Sequence, residues 1–206
     1  MPKRCIIISG GERSEITGIN EGDFIIACDR GYEYAVNAHI VPDLAVGDFD
    51  SFSGKIEPGT VIREYPSEKD DTDTMIAVRY AVEHGFEEIA MFCALGGRLD
   101  HTYANLQAAA YAAKNGLMVT VYDSSTIIYT VHNGSLRLPK RDGYSVSLFS
   151  YTDRCENVST KGLKYPLNEA VLTNTFPIGV SNEWNDENAE VSVGSGILLV
   201  MLSRIK

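Results

Sequence analysis

The sequence predicts an α/β N-terminal domain with a mostly parallel open sheet, followed by an all-β, sandwich-like C-terminal domain. Three observations carry this. Short, continuous apolar runs rich in β-branched residues alternate with helical patterns up to about residue 124. Runs of that kind suit strands buried on both faces. Beyond that point only strand patterns separated by turn signals follow, and no helix is expected. The division is therefore placed near residue 125, giving domains 1–125 and 126–206.

Taken in order, Cys5–Ser9 and Phe24–Cys28 are the first two strands. Tyr32–His39 reads as a short helix stopped before Pro42, and Leu44–Val46 as a strand opening into Gly47-Asp48-Phe49-Asp50-Ser51. Val61–Tyr65 is the next strand. Thr72–His84 is an amphipathic helix closed by Gly85, a usual residue at helix ends. Ile89–Leu95 is a buried strand running into Gly96-Gly97; His101–Lys114 is an Ala-rich helix; Met118–Tyr122 is a strand. In the second half, Thr126–Val131, Ser135–Leu138, Tyr144–Ser150, Glu190–Val193 and Ile197–Leu202 read as strands, with turn signals at His132-Asn133-Gly134 and Asp142-Gly143.

Composition narrows the function. The chain is 44% hydrophobic and 22% charged, which suits a buried core. A net charge of -10 without a basic stripe argues against a nucleic-acid partner. The four cysteines show no C-x-x-C spacing, so neither a disulfide framework nor a zinc site is expected. The apolar run near the N-terminus is too short for a signal peptide or membrane span. A cytoplasmic protein without a membrane partner is the expectation.

Aspartates follow the predicted strands: Asp29 the second, Asp48 and Asp50 the third, Asp70, Asp71 and Asp73 the fourth, Asp100 the fifth. In an open parallel sheet the loops at the carboxyl ends of strands line the ligand crevice, so these distant residues converge. Like charges gathered there require a cation, and Mg²⁺, which takes carboxylate oxygens and shares its shell with phosphates, is the natural one. Asp70 or Asp71 serves equally well as a cap for the helix beginning near Thr72, and Asp100 for the next. A calcium loop from Asp48 fails, because Phe52, Ser53 and Gly59 stand at its fifth, sixth and twelfth positions. Gly96-Gly97-Arg98, between strand and helix, can face an anion. Neither G-x-x-x-x-G-K-[ST] nor G-x-G-x-x-G occurs.

Five segments in order, Pro42–Ser51, Lys69–Asp73, Leu95–His101, Gly162–Leu167 and Ser181-Asn182, resemble the thiamine pyrophosphokinase family. The resemblance implies an enzyme that moves a diphosphate from ATP to the hydroxyl of thiamine, releasing AMP, as a homodimer using Mg²⁺. It implies Asp48, Asp50 and Asp73 as the metal and phosphate group, with Asp70 and Lys69 beside them. It implies Asp29, Arg98, Asp100 and Asn105 on the nucleotide side, and Tyr165, Ser181 and Asn182 on the thiamine side. The ATP/Mg²⁺ site would lie in 1–125 and the thiamine site in 126–206. Two departures stand out. Arg30 occupies the middle position where members with Asp-Gly-Gly have glycine, and Tyr165 stands where some members carry Trp. Two other readings fit the same pocket: a different nucleotide-dependent kinase or pyrophosphokinase, and a non-catalytic thiamine sensor.

Overall fold

The computed structural model describes residues 3–47, 58–64 and 71–205. They form two compact units, divided between Ser124 and Ser125.

The first unit contains β1 (Arg4–Ile8), β2 (Phe24–Cys28), α1 (Gly31–Asn37), β3 (Leu44–Gly47), β4 (Val61–Glu64), α2 (Asp73–Glu83), β5 (Glu88–Phe92), α3 (Leu99–Lys114) and β6 (Met118–Tyr122). Its strands run in the order β4-β3-β2-β1-β5-β6. Every pairing among them is parallel. Alternation by two distributes each strand between two helical layers. Ile6, Ile8, Ile25, Ala90 and Phe92 meet Ala35 of α1. From the other face Phe24 stacks on Tyr80 of α2, and the Ser9 and Thr74 hydroxyls bond at 3.0 Å. Covering both faces is what the unbroken apolar runs required. Each isoleucine so buried stabilises the fold by about 1.5–3 kcal/mol. Ala108, Ala109, Ala110, Ala112 and Ala113 are buried in α3, which packs against α2 and β6. Cys5, Cys28, Cys93 and Cys155 are free and buried, and burial pushes the Cys5 thiol pKa far up.

Several boundaries differ from the sequence reading. The β5 strand ends at Phe92 because Cys93 turns into the left-handed region (φ 53°), which leaves Ala94 and Leu95 outside the ladder. Thr72, not Asp71, caps α2, its hydroxyl accepting from Met75 N–H at 3.2 Å. Helix α3 starts two residues early, with Arg98 at its N-cap and Asp100 in its first turn.

The second unit contains β7 (Thr126–His132), β8 (Ser135–Pro139), β9 (Tyr144–Ser150), β10 (Arg154–Lys161), β11 (Ala170–Thr173), β12 (Asn188–Ser192) and β13 (Ile197–Arg204). It forms two antiparallel arrays, β7-β13-β9 and β11-β10-β12-β8. Val146, Leu148, Leu198 and Val200 of one array, and Leu138, Val158, Leu172 and Val191 of the other, are buried. The sequence gives no sign of β10 and β11. β10 is largely polar, and a register shift between Cys155 and Val158 breaks its alternation.

Helix α1 depends on one close approach. A Cβ on Gly31 would stand 2.0 Å from the Ile8 carbonyl oxygen, so the helix touches the end of β1 only because that position has no side chain. Gly31→Ala is expected to cost about 1–3 kcal/mol or more, because the backbone must shift to relieve the overlap. Urea unfolding measures it; an unchanged midpoint would refute the contact.

Candidate active site

In this sheet β1 lies between β2 and β5. The chain moves outward from β1 through β2, β3 and β4, then crosses to the opposite side for β5. Such a reversal opens a crevice at the carboxyl ends of the two diverging strands. A cleft of about 800 Å³ lies there, lined by residues that follow β1, β2 and β5 and by the start of α2.

The segment after β1 is tied down from three sides. Gly11 N–H bonds the Cys93 carbonyl at 2.8 Å, Glu12 N–H bonds the Leu95 carbonyl at 3.0 Å, and the Tyr34 hydroxyl bonds the Gly11 carbonyl at 3.0 Å. A Cβ on Gly11 would come within 2.6 Å of the Cys93 oxygen. This Gly10–Arg13 wall escaped the sequence reading. Its only signal was the glycine pair immediately after the first strand.

After β2, Asp29 turns at φ 50° while its N–H holds the Val46 carbonyl at 2.9 Å. Its Oδ1 lies 2.6 Å from where a Cβ would stand on Gly47, so this carboxylate lies against the residue preceding Asp48. Arg30 has an ordinary right-handed conformation (φ −56°) and lines the cleft, so the backbone has no need of glycine there.

After β5, Gly96 and Gly97 both adopt positive φ, at 75° and 66°. The Glu12 carboxylate lies over Gly96, 2.5 Å from where a Cβ would be. Arg98 makes a two-pronged contact with Asp100, Nε to Oδ1 at 3.2 Å and Nη2 to Oδ2 at 2.5 Å. That contact holds the Asp100 carboxyl below its ordinary pKa and raises that of Arg98. Arg98 lines the cleft; Asp100 reaches it through Arg98. Asn105 is buried and donates to the Ala94 carbonyl at 2.7 Å, fixing the bend that starts the glycine turn.

At the start of α2, Asp73 lines the cleft and its carbonyl accepts the Cys28 thiol at 3.5 Å. Asp71 also lines it and is paired with Arg79 at 2.7 Å, which raises the arginine's pKa. The structure thus brings Asp29, Asp73, Arg98 and Asn105 to one cleft. Asp48, Asp50, Lys69 and Asp70 lie outside the described residues. Among the described residues, no three His, Cys, Asp or Glu side chains are grouped to hold a metal ion.

In the second unit Tyr165 is 61% exposed, which excludes a core role, and the Lys164 ammonium lies 5.5 Å from its ring centroid. Ser181 is exposed, with φ 58° and its N–H on the Ser147 hydroxyl at 3.0 Å. Asn182 is buried and bonds the main chain of Tyr165.

Two family models match this chain: "Thiamin pyrophosphokinase, catalytic domain" over residues 17–121, and "Thiamin pyrophosphokinase, vitamin B1 binding domain" over residues 134–198. The chain belongs to the thiamin pyrophosphokinase family. A thiamine pyrophosphokinase of Bacillus subtilis (strain 168) is 28% identical over 211 residues, covering 98% of this chain and 99% of that protein. The solved structure of thiamine pyrophosphokinase from Bacillus subtilis superposes with a TM-score of 0.89 at 27% identity, over 99% of this chain and 100% of the other. A thiamin pyrophosphokinase family protein from Enterococcus faecalis gives 0.83 at 30% identity, over 98% and 100%. The cleft residues from Cys28 to Asn105 fall in the catalytic-domain match, which begins after the Gly10–Arg13 wall, while Tyr165, Ser181 and Asn182 fall in the vitamin B1 binding match.

The Arg98–Asp100 contact makes a direct prediction. Arg98→Gln removes the cation that favours the ionised carboxylate, so the Asp100 carboxyl pKa rises towards its ordinary value. A carboxyl-carbon NMR titration reads this. A titration identical to wild type would show that the pair is absent in solution.

Proposed function

We propose that the chain transfers a diphosphate group from ATP to the primary hydroxyl of thiamine, giving thiamine diphosphate and AMP. The observation that carries it is the cleft at the β1/β5 reversal. It joins carboxylates, a positive-φ glycine turn and an arginine fork within the match to the family's catalytic domain.

The chemistry follows from these groups. The thiamine hydroxyl oxygen bonds to the β-phosphorus, and the bond from that phosphorus to the oxygen bridging to the α-phosphate breaks. AMP departs with the electron pair. The hydroxyl proton passes to a carboxylate, for which Asp70 and Asp73 are the two candidates. Such a transfer depends on positioning and charge stabilisation more than on covalent chemistry. Arg98 is placed to exchange Asp100 for phosphate oxygens, which its planar guanidinium accepts equally well. Gly96 and Gly97 bring no side chain of their own to the turn, both standing at positive φ. Asn105 holds that turn through Ala94.

The donor set suits Mg²⁺: hard carboxylate oxygens, with Asp73 in the cleft and the Asp29 carboxylate beside Gly47. Asp48, Asp50 and Asp73 would hold the ion. When bound, Mg²⁺ supplies positive charge to the phosphate oxygens. Tyr165 offers an exposed aromatic face to a flat, cationic ring, and Ser181 stands exposed two residues beyond Gly179. We further propose a cytoplasmic homodimer. Four buried free thiols suit a reducing compartment, and exposed Phe176, Ile178 and Val180 suit burial against a second copy. Among the described residues, no helix is long and apolar enough to cross a membrane.

Incubating the purified chain with thiamine, ATP and Mg²⁺ tests the reading. AMP and thiamine diphosphate are expected in equal amounts; ADP, or no thiamine product, refutes it. Asp73→Asn is expected to lower kcat by roughly 100-fold or more, as removal of a charge-stabilising group does, while leaving Tm unreduced.

A further inference from the structure

Asn182 is fixed in two directions at once. Its main chain forms an antiparallel bridge to Val146 of β9, with both N–H···O bonds at 2.8 Å. Its side chain faces the opposite way. Oδ1 accepts the N–H groups of Tyr165 at 3.0 Å and Glu183 at 2.9 Å, and Nδ2 donates to the Tyr165 carbonyl at 2.7 Å. A carboxamide offers two acceptor sites and two donors. Both acceptors and one donor are engaged, and the residue is only 4% exposed. Little remains with which to hold a ligand.

The surrounding segments show what this clamp achieves. Gly162–Tyr165 and Asn182–Asp186 lie side by side without being regular strands. Leu163 bridges Trp184, Lys164 N–H bonds the Glu183 carbonyl at 2.9 Å, and Asn185 N–H bonds the Gly162 carbonyl at 2.9 Å. The next rung falls at Tyr165. The main chain of Asn182 is already committed to β9, so its side chain supplies that rung. Tyr165 is thereby attached at both backbone polar groups, while its ring stays 61% exposed. The following Pro166 offers no N–H of its own. Without Asn182, Tyr165 would have two unmet backbone groups and freedom to reorient.

We infer that Asn182 is a positioning residue that acts on substrate through Tyr165 and does not itself touch it. The inference rests on the proposed role of Tyr165 as the face that receives thiamine. An anchored aromatic ring loses little conformational freedom on binding, so the benefit appears as affinity for the ring it stacks on. It leaves turnover and the nucleotide untouched.

A double-mutant cycle on the full-length enzyme tests this. Asn182→Leu keeps volume and removes every side-chain bond. Asn182→Asp keeps both acceptors, loses the donor to Tyr165, and serves if the leucine variant does not fold. Either change is expected to raise the KM for thiamine, by about tenfold for leucine given the worth of an aromatic–cation contact. The KM for ATP and kcat should stay within about twofold. In a Tyr165→Ala background the same substitution should raise the KM for thiamine no further. Additive effects would overturn the inference by showing that Asn182 meets substrate independently. An unchanged KM in both single variants would overturn it as well. If Tyr165→Ala alone left the KM for thiamine at its native value, the stacking role itself would fall and the inference with it. That failure is distinct from the additive case, which leaves the role of Tyr165 intact.

Discussion

At the carboxyl end of β1, two segments approach so closely that neither tolerates a side chain. Gly31 starts α1 against the Ile8 carbonyl, and Gly11 lies against the Cys93 carbonyl beyond β5. These contacts hold the exits of three neighbouring strands within one small region. Asp29 is then placed by its separation from Gly31 by a single residue, Arg30. Gly96–Arg98 is placed through the bonds that Gly11 and Glu12 make to Cys93 and Leu95. The cleft is therefore a consequence of backbone packing around one buried strand, and the side chains that line it are carried there by that packing.

Charge is the second constraint. Glu12, Asp29, Asp71 and Asp73 share the cleft with Arg13, Arg30 and Arg98 in a chain of net charge -10. Some of these charges are already matched: Arg98 with Asp100, and Asp71 with Arg79. Both pairs are exposed, so each contributes little to stability and is readily exchanged for another partner. An arginine parked on a carboxylate is held in the fork geometry that phosphate requires. The proposed nucleotide would replace one anion with another at modest cost.

The sequence revealed much of this where a pattern is repeated by the packing itself. The unbroken runs Cys5–Ile8 and Phe24–Cys28 announce strands covered on both faces, and the alanines of α3 announce a helix packed closely on its neighbours. Asp29, Asp71 and Asp73 were legible as cleft residues because topology alone sends the loops after strands to one edge. What stayed hidden depends on single contacts. Cys93 ends β5 early through one positive φ. Thr72 rather than Asp71 caps α2, a choice between adjacent residues that both suit the position. β10 loses its alternation at a bulge. The wall formed by Gly10–Arg13 has no side-chain signature, since glycines act there by what they lack. The clamp of Asn182 on Tyr165 joins a side chain to main-chain groups 17 residues away, and no local pattern predicts such a bond.

The most direct test of the account is a crystal structure of the chain with Mg²⁺ and an ATP analogue that cannot be cleaved between its α- and β-phosphorus. The account predicts the triphosphate between the Gly10–Arg13 wall and the Gly96–Arg98 turn, with Arg98 released from Asp100 onto phosphate oxygens and Asp73 on the metal side. A nucleotide bound away from the carboxyl ends of β1 and β5, or one that leaves the Arg98–Asp100 pair intact, would contradict it.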